Sequence, residues 1–543
     1  MPRRMNMLMM LIIPILLVAC DNIQPIIQPI DNRVFVDRSD SAGITSTHHG
    51  IWDENRPVPY DNGYLAAGLA WSDFDNDGWV DLFVTGNMDP NVLYHNNQDG
   101  TFSVSEHSDT LSLPDVLSGG AVWADYDNDG WRDLYVLNMG ANRLFRNLDG
   151  NGFEDVTMDA GVGDTGKAST AAWGDYNKDG YLDLYVTNWA CYPECDPVDF
   201  SRSRDVLYRN NGDGTFTDVS ELLIFEKLLG AGFAVSFVDY DNDLDLDIYV
   251  VNDRVANPVG NVLWRNDGAG CQAWCWTDVS ESSKTDSLVY GMAIAVGDYD
   301  NDLDLDFYVP SMVSEMVLLE NQGDGTFNNV TQEAGVHYST GKAVGWGTAF
   351  FDFDNDGWLD LYLAATGISP IYGHAGKLFD YPDMLYHNNH DGTFTALAHT
   401  LFSTEDPLPT MGMSTADFNN DGLVDYALTI WDEGHRLYQN AGRHDEANNW
   451  LSITLVGENG LPRDPIGTRV MITTVDGLVQ TRELKSGSSL GAGNDLRLHF
   501  GLGASTIEQV EVQWLNGEVD TFLDVSENQH CLITPETIDC STR

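Results

Sequence analysis

The string DFDNDGWVD at residues 73–81 carries carboxylates at its first, third, fifth and ninth positions and glycine at its sixth. Alternate side chains on a tightly turned loop can point several carboxylates at one centre. A hard cation such as calcium takes six to eight oxygen ligands. Glycine at the sixth position permits a left-handed turn, and the seventh residue can add its carbonyl. Without a cation, carboxylates this close repel strongly. The pattern occurs seven times in all, so the ligand set is Asp73, Asp75, Asp77 and Asp81; Asp125, Asp127, Asp129 and Asp133; Asp175, Asn177, Asp179 and Asp183; Asp239, Asp241, Asp243 and Asp247; Asp298, Asp300, Asp302 and Asp306; Asp352, Asp354, Asp356 and Asp360; and Asp417, Asn419, Asp421 and Asp425. Up to seven calcium ions are expected. Seven near-identical sites point to a structural rather than a catalytic metal, because catalysis wants one open position beside an acid, base or nucleophile.

The copies differ in detail. Asn177 and Asn419 lower the charge of two loops, while Leu244 and Leu303 occupy the glycine position of two others, followed by Asp245 and Asp304. Leucine is costly in a left-handed turn, so these two loops are expected to distort yet still bind. An EF-hand is excluded: its twelfth position needs a bidentate Glu between helices, and here that position is Val84 or Val136 at the start of a β-branched run.

The elements that must hold these loops follow from their flanks. Each loop is preceded by a small-residue stretch such as GGAVWA and followed by a run such as DLYVTN. Out of phase with it recurs a strand–glycine turn–strand string, VLYRNNGDGTF, which reads as a hairpin. The unit is four strands at a period of 50 to 65 residues, the pattern of a β-propeller. The small-residue strand lies innermost, where blades converge. The first outer strand, at Phe35, precedes any inner strand, and the last unit lacks one. Pairing of residue 35 onward with the strand near Leu437 would close the ring and remove a sheet edge. The fold class is therefore all-β: a seven-bladed propeller over residues 35–446, then a small β-sandwich over 447–543 packed beside it. Hairpin alternation puts the acidic loops and glycine turns on one face and the longer, irregular loops on the other.

Acidic residues outnumber basic ones 84 to 27, for a net charge of −57. Such a surface is repelled by nucleic acid and by anionic membranes. Residues 1–19 read as a signal peptide, with Arg3 and Arg4 ahead of a short apolar run, and LVAC at 17–20 resembles a bacterial lipobox. The resemblance implies cleavage before Cys20, lipid on its sulfur, a linker over 20–34 and a place in the bacterial cell envelope, with the membrane touched only through that anchor. The other cysteines are close neighbours in an exported chain, so the simplest pairing is Cys191 with Cys195, Cys271 with Cys275 and Cys531 with Cys540. Their spacing suits zinc poorly.

The loops and their flanks resemble FG-GAP/VCBS repeats of the integrin-α type. NNWLSITLVG, DPIGTRVMI, HFGLG and VEVQWLNGE, between 448 and 518, look like an ASPIC/UnbV domain. Together, in this order, they resemble the cartilage acidic protein family. One departure is KSGSSLGAGND at 485–495, where the family resemblance implies a longer Ser/Gly/Gln-type turn, so no role is carried over to that loop. No RGD string occurs.

A protein or glycan ligand is expected on the calcium-free face, because loops on a rigid scaffold carry recognition. That rim receives His48, His49, Trp52, Trp189, Tyr192, Arg202, Arg204, Arg254, Tyr372, His374, Lys377 and Tyr381. The alternative is an enzyme, biosynthetic or carbohydrate-active, with its active site on that face, over the central channel. GSSLG around Ser489 and GVGDTG at 161–166 match catalytic and nucleotide-binding strings, but each needs a helix to follow, and none is expected. A transition-metal site built from His48, His49 and His374 is the weaker reading of those histidines.

Overall fold

The computed structural model describes residues 34–50, 64, 66–189, 204–253, 259–271, 273–312, 316–338, 343–368, 378–402, 407–442 and 448–541. Cys20, Cys191, Cys195, Trp52, Tyr192, Arg202, Arg254, Tyr372, His374 and Lys377 lie outside them.

Every acidic loop joins two antiparallel strands. In the first unit these are Leu69–Ser72 and Asp81–Val84, followed by Val92–Asn96 and Phe102–Val104, hydrogen-bonded in that order. Among the described residues, six sheets from Leu69 to Ala396 repeat this order, and Leu378–Asp380 adds an extra strand to the sixth. In the seventh, Phe35–Asp37 takes the outer place beside Gly434–Asn440, pairing Phe35 with Asn440. The innermost strands of the first four sheets pack side by side in order, as do those of the fifth, sixth and seventh, and that of the seventh packs on the first; the fourth and fifth sheets share a buried cluster that includes Ala234, Tyr249, Ile294 and Phe307. The arrangement is propeller-like and almost wholly β. Small residues on the inner strands are required by contact. A Cβ on Gly412 would lie 1.7 Å from the Ala67 carbonyl oxygen, far inside any tolerated approach.

Residues 449–541 form two four-stranded sheets whose apolar faces share Leu451, Ile453, Val470, Ile472, Phe500, Val512, Trp514 and Ile533, all buried. Disulfides join Cys271 to Cys275 and Cys531 to Cys540.

The placement of this domain corrects the expectation that it packs beside the propeller: it sits over the face that carries the acidic loops. Its segment 486–495 also runs into the propeller axis. Trp71 and Ala121 donate their backbone N–H to Gly493 and Gly491 carbonyls, at 3.0 and 3.1 Å. Ser489 donates to Ile294 O at 2.9 Å and accepts from Thr348 N on its Oγ at 3.0 Å. Gly491 N–H donates to Thr170 Oγ1, and Asn494 Oδ1 accepts from Thr415 N. Leu490 is buried among Phe233, Met292, Trp346, Met411 and Trp431. A Cβ on Gly68 would meet Gly491 O at 2.0 Å, so the inner glycines make room for this segment as well as for one another. No helix follows Ser489, and the GVGDTG string runs from the C-terminal glycine of a one-turn helix into the strand Ala168–Gly174.

The acidic loops and their belt

The first residue of each loop acts as a receptor for its own backbone. In the first loop, the N–H groups of Asp77 and Gly78 each donate to one oxygen of Asp73 at 2.9 Å. In every loop but the third, the ninth residue accepts from the second residue of its loop, and in all of them from an asparagine on the third strand: in the first loop, Phe74 N to Asp81 at 3.3 Å and Asn96 N to Asp81 at 2.8 Å. The same four bonds recur around Asp352 and Asp360. This frame holds the first, third and ninth carboxylates facing one point. Ligand oxygens of Asp73, Asp75 and Asp81 lie within 4.8 Å of one another, as do those of Asp125, Asp127 and Asp133 and of Asp239, Asp241 and Asp247.

The leucine-bearing loops do not distort. Leu244 and Leu303 adopt φ of 72° and 77°, and their N–H groups donate to Asp239 and Asp298 at 3.1 Å as the glycines do elsewhere. The frame therefore imposes the left-handed turn on leucine.

Two belts link each loop to its neighbour. In one, Asn96, Asn147, Asn210, Asn266, Asn321, Asn388 and Asn440 each donate through Nδ2 to a loop carbonyl of the same blade and to one of the preceding blade. In the other, the fourth residue of a loop reaches the next loop. Asn76 donates to Gly130 O, Asn128 to Gly180 O, Asn301 to Gly357 O, Asn355 to Gly422 O, and Asn420 back to Gly78 O. Where leucine replaces the glycine, the following aspartate is the acceptor: Asn242 donates to Asp304 at 2.7 Å, and Lys178 pairs with Asp245 at 2.8 Å.

The electrostatics ask for a cation. Burial pushes the ninth-position carboxyls, Asp81 to Asp425, well above the usual range. It pushes Asp73 up to about 6 and Asp125, Asp175, Asp239, Asp298 and Asp417 up to about 7. Asp183 Oδ2, Asp241 Oδ1 and Asp300 Oδ1 are buried with no hydrogen-bond partner among the described residues. Buried, unmatched carboxylate oxygens are expensive unless neutralised or coordinated. The donor set is all oxygen, which fits a hard ion. These clusters can hold metal.

The C-terminal domain reads the same loops. Arg497 donates to Asp417 O and Asn420 Oδ1 at 2.7 and 2.6 Å while paired with Asp495 at 2.5 Å. Arg469 donates to Asp239 O and Asn242 Oδ1 and pairs with Glu483. His499 Nε2 donates to Asn355 Oδ1 at 2.6 Å, and Arg132 pairs with Asp464, which also accepts from Asp125 N. These contacts were invisible in the sequence, where each is a single residue with no pattern around it.

On the opposite rim, His48 is fully buried against Trp431, and desolvation lowers it to about 4. His49 is exposed and pairs with Asp89, so the two histidines do not converge. Trp189 is buried, donating to Asp253, which removes it from the exposed rim; Arg204 pairs with Asp218, and Tyr381 packs edge-on to Tyr338.

The FG-GAP-like repeat family matches residues 73–136, 125–186, 198–250, 313–363 and 378–428, and the ASPIC and UnbV family matches residues 457–538. Cartilage acidic protein 1 of Xenopus tropicalis is 23% identical over 542 residues, spanning 90% of this chain and 78% of its own. The Mus musculus protein of that name is 25% identical over 521 residues, spanning 88% and 75%. Among solved structures, an Agrocybe aegerita lectin described as recognising non-reducing terminal N-acetylglucosamine is 17% identical, spans 62% of this chain and 82% of its own, and superposes with a TM-score of 0.39.

Proposed function

The chain belongs to the FG-GAP repeat proteins that carry an ASPIC/UnbV domain and is homologous to cartilage acidic protein 1, and from that premise we propose that it is an exported, lipid-anchored interaction module whose propeller is held by calcium. The observation that carries the calcium reading is the set of buried carboxylate oxygens left without partners inside the loops. The first, third, fifth and ninth side chains of each loop, Asp73 to Asp81 and their equivalents, would hold the ion. It would supply the positive charge that the buried carboxylates lack.

The C-terminal domain and segment 486–495 occupy the acidic-loop face and the axis. A protein or glycan partner then has the opposite face, with its longer loops. Lipid attachment at Cys20 would keep the protein at the cell envelope.

Elemental analysis of protein purified without chelator should find several calcium ions per chain, and a chelator should lower the melting temperature. An unchanged melting temperature with no bound calcium would overturn the metal reading. A glycan array and a turnover screen on the loaded protein separate recognition from catalysis: saturable binding without product supports the module, and turnover lost with rim substitutions overturns it.

A further inference from the structure

Two of the loops carry imidazoles on their outer side, and one carries two. In the sixth loop, His387 Nε2 lies 3.0 Å from Asp354 Oδ2, and His390 Nε2 lies 2.7 Å from Asp356 Oδ2. Ligand atoms of Asp354, Asp356 and His387 fall within 4.8 Å of one another. Both imidazoles are held by aromatic neighbours: Trp358 stacks on His390 at 4.9 Å and 9°, and Phe353 meets His387 edge-on at 5.7 Å. Asp356 Oδ1 accepts from Trp358 N at 2.9 Å, which fixes the carboxylate whose other oxygen faces His390. His390 is 44% exposed on its side chain, so the cluster opens to solvent.

We infer that His387, His390, Asp354 and Asp356 form a second metal site, for a borderline transition-metal ion of the zinc type, on the outer side of the sixth loop and sharing its third and fifth carboxylates. Calcium takes oxygen ligands, whereas imidazole with carboxylate suits zinc, copper or nickel. Zinc bonds of about 2.0–2.2 Å place tetrahedral ligand atoms about 3.3 Å apart. The two pairs at 2.7 and 3.0 Å need widen by only a few tenths of an ångström. The outer Oδ2 atoms of Asp354 and Asp356 serve this site, so it does not require the loop interior to be filled, and its test does not depend on the calcium reading.

The molecule supplies its own control. The first loop has the same arrangement one ligand short: His95 lies 3.0 Å from Asp75 and 3.9 Å from Asp77, and Gln98 donates to Asp77 where the sixth has His390. The equivalent of His387 in the other units is Arg146, Arg209, Arg265, Glu320 or Gln439, none of them an imidazole.

The experiment is zinc titration of the full chain in excess calcium, read by competition with a chelating dye and by quenching of Trp358 with copper. Wild type should take one equivalent assigned to this cluster. His390→Gln, which copies the residue the first loop already tolerates, should weaken that equivalent by about tenfold or more, with calcium content unchanged. Gln98→His should add an equivalent. Zinc affinity left unchanged by His390→Gln and by His387→Gln, or no equivalent gained with Gln98→His, overturns the assignment. Calcium counts measured on the same samples report on the loop sites separately.

Discussion

Lys178 and Asp245 pair at 2.8 Å at the one junction of the inter-loop belt where the donor is not an asparagine. Asp245 follows Leu244, and Asp304 follows Leu303 in the next loop, where it accepts from Asn242. The two departures from the repeat are thus coupled. When the sixth residue is leucine, a carboxylate at the seventh takes over the acceptor role that the glycine carbonyl plays in the other loops. The loop keeps its frame, and the leucine bears a positive φ.

That strain is removable. Leu303 sits at φ 77° and is 36% exposed, so its side chain is only partly packed. Leu303→Gly should stabilise the protein by about 1 kcal/mol, the scale of a side chain forced into the left-handed region. Asp304→Ala should destabilise it by removing Asn242's partner. Thermal melting of the two variants should shift in opposite directions; a fall for Leu303→Gly would mean that the leucine contributes packing at Gly357 or the C-terminal domain.

Much of this was legible in the sequence. The loop spacing marked the first and ninth carboxylates, and the misplaced outer strand at Phe35 marked its pairing with residues 438–440. The strand-end asparagines repeat visibly, but a sequence does not say that Asn96 bonds to Phe418 of a neighbouring blade 322 positions away. The segment 486–495 was illegible for a physical reason. It binds mostly through main-chain groups, which every residue possesses, so glycine and serine there record only close approach. The face taken by the C-terminal domain rests on isolated residues such as Arg469, Arg497 and His499, which carry no periodicity.

The ninth carboxylate should show opposite effects with and without metal. Asp183 is completely buried, and its Oδ2 has no hydrogen-bond partner within normal geometry among the described residues. Asp183→Asn removes a buried charge at little change of shape. The calcium-stripped protein should melt at the same or a higher temperature than wild type, and the rise on adding calcium should shrink. A variant that melts lower in chelator and gains as much from calcium would show that Asp183 is not a ligand.

The pH response of stripped protein follows from the raised carboxyls. Asp125, Asp175, Asp239, Asp298 and Asp417 stand at about 7 when folded, against about 4 for an ordinary aspartate. A group raised on folding contributes stability below its unfolded value and loses it as pH rises through its folded one. In chelator, the melting temperature should therefore fall between pH 4 and 7. With excess calcium, ionised carboxylates are the binding form, so the same interval should show a rise. Parallel curves in the two conditions would show that the carboxylates do not govern stability.

Leu490 tests whether the two domains fold as one. It belongs to the C-terminal domain, yet its neighbours Phe233, Met292, Trp346, Met411 and Trp431 belong to four different blades, and its side chain is fully buried. Removing most of it leaves a cavity that inner strands already in contact through their backbones cannot readily close. Leu490→Ala should cost about 2–5 kcal/mol. Because the loss falls at the propeller axis, it should lower the transition reported by Trp346 and Trp431 fluorescence as well as that of the C-terminal domain. Leu532→Ala, on the half-exposed outer surface of the same domain, should leave both unchanged. If Leu490→Ala lowered the C-terminal transition alone, segment 486–495 would be a passenger in the axis rather than the tie between the domains.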